Sequence, residues 1–167
     1  MSLTAVDLSS TFRDAMAHMC APVSVITTMD GDRPHGTTVS AVMSLSVDPL
    51  LIAVALAETS ESLRHIRGAT AFGVNVLDAA QENIALRFAT KGDDKFDTID
   101  WTLATGVPRI TGTAVWVACT LAEVVQGGDH ALLFGSVVDV ERDSEAAPLT
   151  YHGRRFGTHV PLAEVRS

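Results

Sequence analysis

The sequence predicts a mainly β, α+β fold in which a small antiparallel β-barrel carries a few peripheral helices. Segments with strand character outnumber those with helical character and do not alternate regularly with them, which argues against a doubly wound parallel sheet. Two long strand segments, 113–125 and 130–141, are joined by a short glycine-containing turn and form the expected central hairpin. Aromatic residues make up only 5% of the chain, so the interior must consist mainly of Val, Leu, Ile and Ala.

The first part of the chain is predicted to contain one helix followed by three strands. Apolar side chains recur at helical spacing over residues 8–19, and these are Leu8, Phe12, Ala15, Met16 and Met19. Residues 23–29 are rich in Thr and β-branched side chains, and the hairpin turn signal Asp30-Gly31-Asp32 follows them. Further strands are expected over residues 34–46 and 50–57, on either side of the Asp48-Pro49 break.

The middle of the chain is predicted to place two helices on either side of a strand. The predicted elements are, in order, a helix that ends near residue 67, a strand over 71–77, a helix over 79–89 and a charged loop over 91–100. Thr59 or Ser60 is expected to cap the first helix, and Gly68 is expected to end it.

The last part of the chain is predicted to be almost entirely β. The expected elements are a short strand over residues 101–103, the long strands over 113–125 and 130–141, a polar loop over 143–148 and a last strand over 149–156. A break at Gly106-Val107-Pro108 separates the short strand from the long pair, and Gln126-Gly127-Gly128-Asp129 joins the long pair.

Composition restricts the class of protein. The chain has 167 residues and a mean hydropathy of +0.24, which predicts a single folded domain over residues 1–167. Its net charge of −8 argues against nucleic acid or an anionic membrane as the main partner. Cys20 and Cys119 lie far apart and are expected to be buried thiols in a reducing compartment. Because neither a signal peptide nor a membrane-spanning segment is evident, a cytoplasmic protein is expected.

Several common catalytic motifs are missing from the sequence. It contains neither GxGxxG after a strand nor GxxxxGK[ST], so the standard nucleotide loops are not present. It lacks HExxH and GxSxG, and its six histidines form no pair at ligand spacing on one predicted helix. No metal site is therefore predicted, although a site built from distant residues stays open.

The segment 36–62 is unusually rich in hydroxyl groups for a core strand. Thr37, Thr38 and Ser40 come before the apolar run over residues 50–57, and Thr59, Ser60 and Ser62 come after it. Two explanations remain open: Thr and Ser favour strand edges, turns and helix caps, or they bind a phosphate-bearing ligand at a helix start. Positive charge for such a ligand could come from Arg87 and Lys91, each of which is also an ordinary surface residue.

A second candidate spot is the tip of the central hairpin. Gly127 and Gly128 allow a tight turn and a close approach of a ligand, and His130 follows them at a strand start. An incidental turn histidine would give the same pattern. Tyr151, the only tyrosine, precedes Arg154 and Arg155, which on one strand would point to opposite faces.

Taken together, these segments resemble the short flavin reductase family. The matching segments are 12–28, 36–49, 72–77, 83–89 with 94–96, 128–130 with 132–137, and 148–151. They cover nearly the whole chain in the family's order. The resemblance implies a Greek-key split β-barrel and a homodimer. One departure is Val39-Ser40-Ala41, where many relatives carry Ser-Ser or Asn-Ser.

The resemblance also implies the site residues. A flavin would lie along Thr37–Ser40 and the strand after Pro49, and its phosphate would lie near Ser60, Ser62 and the Arg87-Phe88 turn. His130 would lie beside the nicotinamide, and Tyr151 would line the dinucleotide side. The cofactor-binding residues so implied are Thr37, Thr38, Val39, Ser40, Ser46, Ala53, Ala55, Ser60, Ser62, Arg87, Phe88 and Tyr151.

The function implied by the resemblance is an NAD(P)H-dependent flavin reductase. Hydride would pass from nicotinamide C4 to N5 of FMN or FAD, and the reduced flavin would leave for a partner monooxygenase. The chemistry would belong to the two cofactors, so the lack of a catalytic triad is consistent with it. The alternatives are a flavin carrier without turnover and an oxidase of the pyridoxamine-phosphate type. The sequence determines neither the preference between FMN and FAD nor the preference between NADH and NADPH.

Overall fold

A computed structural model describes residues 5–92 and 94–162 of the chain. Within them lie three helices, α1 Ala5–Ala17, α2 Glu61–Ala69 and α3 Glu82–Ala89. The first six strands are β1 Ala21–Pro22, β2 Ser24–Asp30, β3 Arg33–Val39, β4 Val42–Val47, β5 Leu50–Ala57 and β6 Ala71–Val76. The last six are β7 Trp101–Ala104, β8 Val107–Ile110, β9 Val115–Gly127, β10 His130–Arg142, β11 Leu149–His152 and β12 Arg155–Thr158. The mainly β character is confirmed.

The main sheet has seven antiparallel strands in the order β3-β2-β6-β9-β10-β5-β4. Its two edge strands, β3 and β4, are joined by only Ser40 and Ala41. A flat sheet of this size would separate its edges by roughly 29 Å, since neighbouring strands lie about 4.8 Å apart. The sheet must therefore curl until its edges meet at this corner. Within the described residues β3 and β4 do not pair, so the barrel keeps an open seam.

The inside of the barrel is apolar, and one close contact shows how tightly it packs. Ile26, Phe72 and Leu133 belong to a single buried cluster contributed by different strands of the sheet. A Cβ atom at Gly135 would lie 2.5 Å from Cζ of Phe72, so only glycine leaves room for that ring in β10. Most of the buried apolar side chains are Val, Leu, Ile or Ala, as predicted. The largest buried side chains are nevertheless three aromatic ones, Phe72, Phe88 and Trp116.

Helix α2 packs on the barrel through Leu63 and Ile66, both fully buried. The prediction that Gly68 ends this helix is wrong by two residues. Gly68 lies inside the helix, and Thr70 adopts the left-handed conformation at φ 58° just after its end. The backbone N–H of Thr70 donates to the carbonyl oxygen of Ile66 at 2.8 Å, which satisfies one of the last carbonyls.

Three predicted elements are divided or shortened in the structure. The strand expected over 34–46 is broken at Ser40-Ala41, where the chain crosses from one sheet edge to the other. The helix expected over 79–89 begins only at Glu82. The strand expected over 149–156 is a hairpin, because Gly153 and Arg154 both have positive φ, 56° and 62°, and reverse the chain.

A separate three-stranded sheet has the order β1-β11-β12, and its hairpin turn contacts the end of α1. The N–H of Gly153 in its hairpin turn donates to the carbonyl of Ala17 at the end of α1, at 2.7 Å. The predicted loop over 91–100 connects α3 to β7, with residue 93 outside the described residues. None of the described helices has the length and apolar composition that crossing a bilayer requires.

The two cysteines differ in their surroundings. Cys119 is buried in β9, and burial raises the pKa of its thiol to about 12. Cys20 is exposed, so the prediction that both thiols are buried is wrong for Cys20. It precedes the two-residue strand β1, which places it at the surface rather than in the barrel.

Candidate functional site

A continuous groove follows β3, and three adjoining cavities make it up. A polar cavity of about 610 Å³ lies between β3, the start of α2 and the loop after α3. A middle cavity of about 340 Å³ shares Thr37 and Ser60 with it and reaches His130. A third cavity of about 430 Å³ shares Thr38, Val39 and Ser40 with the middle one and reaches Tyr151. Because neighbouring cavities share lining residues, the arrangement suits an extended ligand with chemically different ends.

The polar cavity suits an anionic group. Ser60 precedes α2 at the N-cap position, but its hydroxyl makes no capping hydrogen bond to the helix. Ser60 and Ser62 line the cavity together with the first turn of α2, whose N–H groups favour anions. Lys91 and Lys95 line the same cavity, as does Glu61. This donor set of hydroxyls, a helix start and ammonium groups fits a phosphate.

Arg87, which was expected near the phosphate, has a structural task. Its guanidinium donates to the backbone carbonyl of Lys95 at 2.5 Å and to that of Asp94. These bonds hold the loop after α3 against the helix. Lys95 in turn donates from Nζ to the carbonyl of Gly36 at 3.1 Å, across the cavity wall. Arg87 therefore supports the cation that lines the cavity instead of lining it.

The middle cavity is walled by backbone and small side chains. Residues 37–40 of β3 form one side, and Ala55 of β5 forms another. The Thr38 hydroxyl donates to the carbonyl of Ala85 in α3 at 2.7 Å, so its hydrogen is used by the fold. Its oxygen lone pairs and the neighbouring backbone remain for a ligand. Small residues at this point leave room for a flat ring to approach the strand.

His130 closes the middle cavity at the tip of the central hairpin. It pairs with Ala57 of β5 in the sheet, which fixes where its side chain leaves the strand. Its Nδ1 lies 2.8 Å from Oδ1 of Asp129, and a carboxylate can only accept there, so Nδ1 carries the hydrogen. This hydrogen bond and the nearby imidazole charge hold the pKa of Asp129 below its ordinary value. The half-exposed ring is thus oriented by its neighbour.

The third cavity combines apolar and aromatic walls with one cation. Tyr151 and Phe156 come from the two strands of the β11–β12 hairpin, and their ring centroids lie 5.3 Å apart. Ala85 and Leu86 of α3 face them across the cavity. Arg154, in the hairpin turn, is the only charged side chain among the described residues that line it.

The structure brings most of the predicted site residues to this groove. Those that line it are Thr37, Thr38, Val39, Ser40, Ala55, Ser60, Ser62, His130 and Tyr151. Four others do not line the three cavities. Ala53 is buried in β5, Phe88 lies in the core beneath Gly36, the Ser46 hydroxyl accepts from the N–H of Asp48, and Arg87 holds the loop.

Sequence reasoning missed a histidine cluster at the rim of the polar cavity. His35 of β3 stacks on His65 of α2 with ring centroids 3.7 Å apart. His65 Nδ1 lies 2.9 Å from the Asp30 carboxylate, and Nε2 accepts from Arg64 at 2.9 Å. Ligand atoms of Asp30, His35 and His65 lie within 4.8 Å of one another. The stacked rings hold their lone pairs in nearly parallel planes, and both nitrogens of His65 are hydrogen-bonded, so the cluster forms a hydrogen-bonded network.

The signals for the missed residues are weak in the sequence. His35 and His65 lie thirty positions apart on different elements, and only the packing of α2 on the barrel brings them together. Lys95 stands in a charged loop that resembles a solvated surface. The turn at Gly153-Arg154 gives only half of a hairpin signal, because Gly153 suits such a turn whereas arginine is unusual at its second position.

Comparison with known proteins agrees with this geometry. Residues 16–159 match the family described as flavin reductase like domain. A Streptomyces pristinaespiralis protein named NADH:riboflavin 5'-phosphate oxidoreductase is 38% identical over 155 residues, which cover 90% of this chain and 88% of that protein. The flavin-dependent monooxygenase reductase subunit HsaB of Mycobacterium tuberculosis is 35% identical over 151 residues, 88% of this chain and 81% of that protein.

Solved structures match over nearly the whole fold. The NADH:FAD oxidoreductase SgcE6 of Streptomyces globisporus superposes with a TM-score of 0.88 at 28% identity, covering 96% of this chain and 99% of that chain. The same protein in complex with NAD and FAD fragments superposes with a TM-score of 0.87 at 27% identity, covering 100% of both chains. The barrel with an open seam is therefore a fold shared with proteins that are named for redox chemistry between NADH and flavin.

Proposed function

The chain belongs to the flavin reductase like domain family, and we propose that it is a flavin reductase that oxidises NADH or NADPH and reduces FMN or FAD. The family match over residues 16–159 and the relatives named NADH:riboflavin 5'-phosphate and NADH:FAD oxidoreductase support this activity. The observation in the structure that carries it is the continuity of the groove. An anion-binding end, a middle section with small side chains and a third cavity lined by aromatic rings adjoin one another along β3.

Different residues of the groove would bind different parts of the flavin. Ser60, Ser62 and the start of α2 would hold the flavin phosphate, with Lys91 and Lys95 supplying positive charge. Residues 37–40 and Ala55 would hold the ring. When bound there, flavin supplies the two-electron acceptor for the nicotinamide hydride. The protein itself positions the two rings, because proximity and orientation give most of the rate in such a transfer.

His130 and Tyr151 would hold the nicotinamide side. His130 lines the middle cavity and its Nδ1 donates to Asp129, so Nε2 is the ring nitrogen that would bind a ligand. Tyr151 lies in the adjoining cavity, which shares residues 38–40 with the first. Neither residue has to transfer a proton. Their task is to place the dihydronicotinamide ring over the site and to keep water from it.

The named relatives favour the reductase over the two alternatives. A flavin carrier has no need of a nicotinamide side, whereas SgcE6 is described in complex with NAD and FAD fragments. HsaB is named as the reductase subunit of a flavin-dependent monooxygenase. We therefore place this chain as the reductase component that supplies reduced flavin to a separate monooxygenase. Its 167 residues would act as one domain in the cytoplasm, where its unpaired thiols stay reduced.

We also propose that the active form is a homodimer. Along the β4 edge of the barrel, Met43, Leu45, Val47 and Leu50 are exposed apolar side chains. Helix α1 exposes a second apolar row of Leu8, Phe12 and Met16 on one face. Apolar surface of this extent in a small domain is typical of a subunit interface. A second copy of this chain would cover it, since isologous dimers are the commonest closed assembly.

The proposed activity is tested by following the loss of absorbance at 340 nm from NADH and from NADPH with FMN, FAD and riboflavin. Oxidation that requires added or bound flavin is expected with at least one pair. Riboflavin, which lacks the phosphate, should be used less well if the polar cavity binds that group. Absence of flavin-dependent oxidation with either nucleotide would contradict the reductase and favour the carrier.

A further inference from the structure

Arg154 occupies a backbone conformation that an arginine rarely adopts. It is the second residue of the two-residue turn between β11 and β12, and its φ is 62°. Gly153 before it has φ 56°, so both turn residues are left-handed, as in a type I′ hairpin turn. Glycine or asparagine is the residue expected at such a position, because a longer side chain carries a steric cost. Something other than turn geometry must favour arginine here.

The Arg154 side chain is held in place by helix α1. One guanidinium nitrogen donates to Oδ1 of Asp14 at 2.5 Å. The turn is tied to the same helix through the backbone bond from Gly153 to Ala17 at 2.7 Å. Hydrogen bonding and charge from Arg154 keep the pKa of Asp14 below its ordinary value, so Asp14 is ionised near neutral pH. Both partners are more than half exposed, and an exposed pair of this kind adds little to folding stability.

The same side chain lines the third cavity. Arg154 and Tyr151 both border it, and within the described part of the chain Arg154 is the only charged group that lines it. That cavity shares Thr38, Val39 and Ser40 with the cavity that contains His130. A molecule with its ring beside His130 could therefore extend past Tyr151 and reach Arg154 without leaving the groove.

We propose that Arg154 binds the diphosphate of the nicotinamide dinucleotide and that Asp14 holds the guanidinium ready for it. This inference rests on the proposed reductase function and adds a binding residue to it. A dinucleotide carries negative charge on its diphosphate, and the protein has a net charge of −8, so a local cation is needed for it to approach. A guanidinium suits phosphate oxygens because it donates two parallel hydrogen bonds.

Asp14 and the diphosphate then compete for one guanidinium. Asp14 preorganises the arginine in the absence of dinucleotide, and the stronger anion draws it away on binding. The prediction has opposite signs for the two partners. Removing the arginine weakens dinucleotide binding, whereas removing the carboxylate leaves the arginine available and tightens binding. A purely structural ion pair would instead make the two substitutions equivalent.

The experiment compares Arg154→Asn and Asp14→Asn with the unmodified chain. Asparagine tolerates the left-handed conformation, so Arg154→Asn removes the charge while it keeps the turn. Binding of NADH to the flavin-free protein is measured by the change in NADH fluorescence, which needs no turnover. We expect Arg154→Asn to raise the Kd for NADH about tenfold or more, and Asp14→Asn to lower it. Circular dichroism confirms that both variants are folded.

A second substrate separates phosphate binding from a general disturbance. Reduced nicotinamide riboside carries the same ring as NADH but no phosphate, and its oxidation is measured with the flavin that supports the activity. Arg154→Asn should raise the KM for NADH and leave the KM for the riboside unchanged. Equal losses with both substrates, or a Kd for NADH within twofold of the unmodified chain, would overturn the role of Arg154. Failure of the unmodified chain to oxidise NADH would contradict the proposed reductase function but not the role of Arg154, because NADH binding is measured separately.

Discussion

Polar side chains in the groove and beside it differ in whether the fold already uses their hydrogen-bonding groups. The Thr38 hydroxyl donates to Ala85, and the Arg87 guanidinium donates to two loop carbonyls. Ser60 makes no capping bond at the start of α2, and His130 is engaged through Nδ1 alone. Residues of the second kind can contribute hydrogen bonds to a ligand without a cost to the fold. They are therefore the better positions at which to separate binding from stability.

His130→Ala should impair the use of NADH more than the binding of flavin. If the ring makes one hydrogen bond to the bound nicotinamide, its loss should cost about 1–3 kcal/mol of transition-state stabilisation. Steady-state kinetics at varied NADH and, separately, at varied flavin would show the difference. His159→Ala is a suitable control, since His159 is exposed near the end of the described chain. Unchanged NADH kinetics in His130→Ala would show that His130 is a turn residue with no role in the use of NADH.

The thiols should differ sharply in reactivity. Burial raises the pKa of the Cys119 thiol to about 12, whereas Cys20 is exposed. Iodoacetamide at pH 8 should therefore alkylate Cys20 in the native protein and reach Cys119 only after unfolding, as mass spectrometry can measure. The raised pKa stabilises the fold fully below pH 9.0, and that contribution is lost as the pH rises toward 12. Native labelling of both thiols at equal rates would contradict this.

At the scale of single elements, the start of α2 connects the fold to phosphate binding. Because Ser60 makes no side-chain cap bond, Ser60→Ala should leave the melting temperature nearly unchanged. The same substitution should weaken FMN binding about threefold to tenfold through a lost hydrogen bond, and riboflavin binding should not change. Fluorescence quenching of each flavin on titration with protein gives the measurement. An equal loss of riboflavin affinity would show that Ser60 does not bind the phosphate.

Strand β10 should tolerate no side chain at Gly135. A Cβ there would lie 2.5 Å from the Phe72 ring and 2.8 Å from Cβ of Cys119, so Gly135→Ala should destabilise the fold by about 1–3 kcal/mol. Gly68→Ala is the matched control, because Gly68 lies inside α2 with nothing within 4 Å of the added atom. It should stabilise the protein by about 0.4–1 kcal/mol. Urea unfolding followed by circular dichroism compares the two, and equal midpoints would contradict the packing argument.

At the scale of the whole molecule, the exposed apolar edge predicts self-association. Light scattering at micromolar protein should give twice the 17.7 kDa chain mass. Val47 is 81% exposed and Leu50 56% exposed, so Val47→Glu should weaken the dimer if this edge is the interface. Val160→Glu is the control, since Val160 is 75% exposed outside any strand. A monomer mass for the unmodified chain would contradict the proposed homodimer.

The prediction of strands from the sequence succeeded where the pattern was local. The long pair β9 and β10 and the turn between them were predicted within two residues, because a glycine-rich turn between alternating strands is a short-range signal. The break at Ser40-Ala41 was missed, since it depends on the closing of the barrel rather than on those two residues. The turn at Gly153-Arg154 was missed because an arginine in the left-handed conformation contradicts the usual preference.

The sequence by itself determined the class of fold, the position of the hydroxyl-rich segment and the family, because each depends on ordered local patterns along the chain. Only the tertiary structure decided which side chains face the groove. Thr38 lines the groove, but its hydroxyl donates to a carbonyl of α3, and Arg87 holds loop carbonyls instead of lining the groove. His35 was brought to His65, and Arg154 to Asp14, by packing between elements distant in the chain. Hydrogen-bond partners of this kind depend on three-dimensional proximity, which spacing along the sequence does not specify.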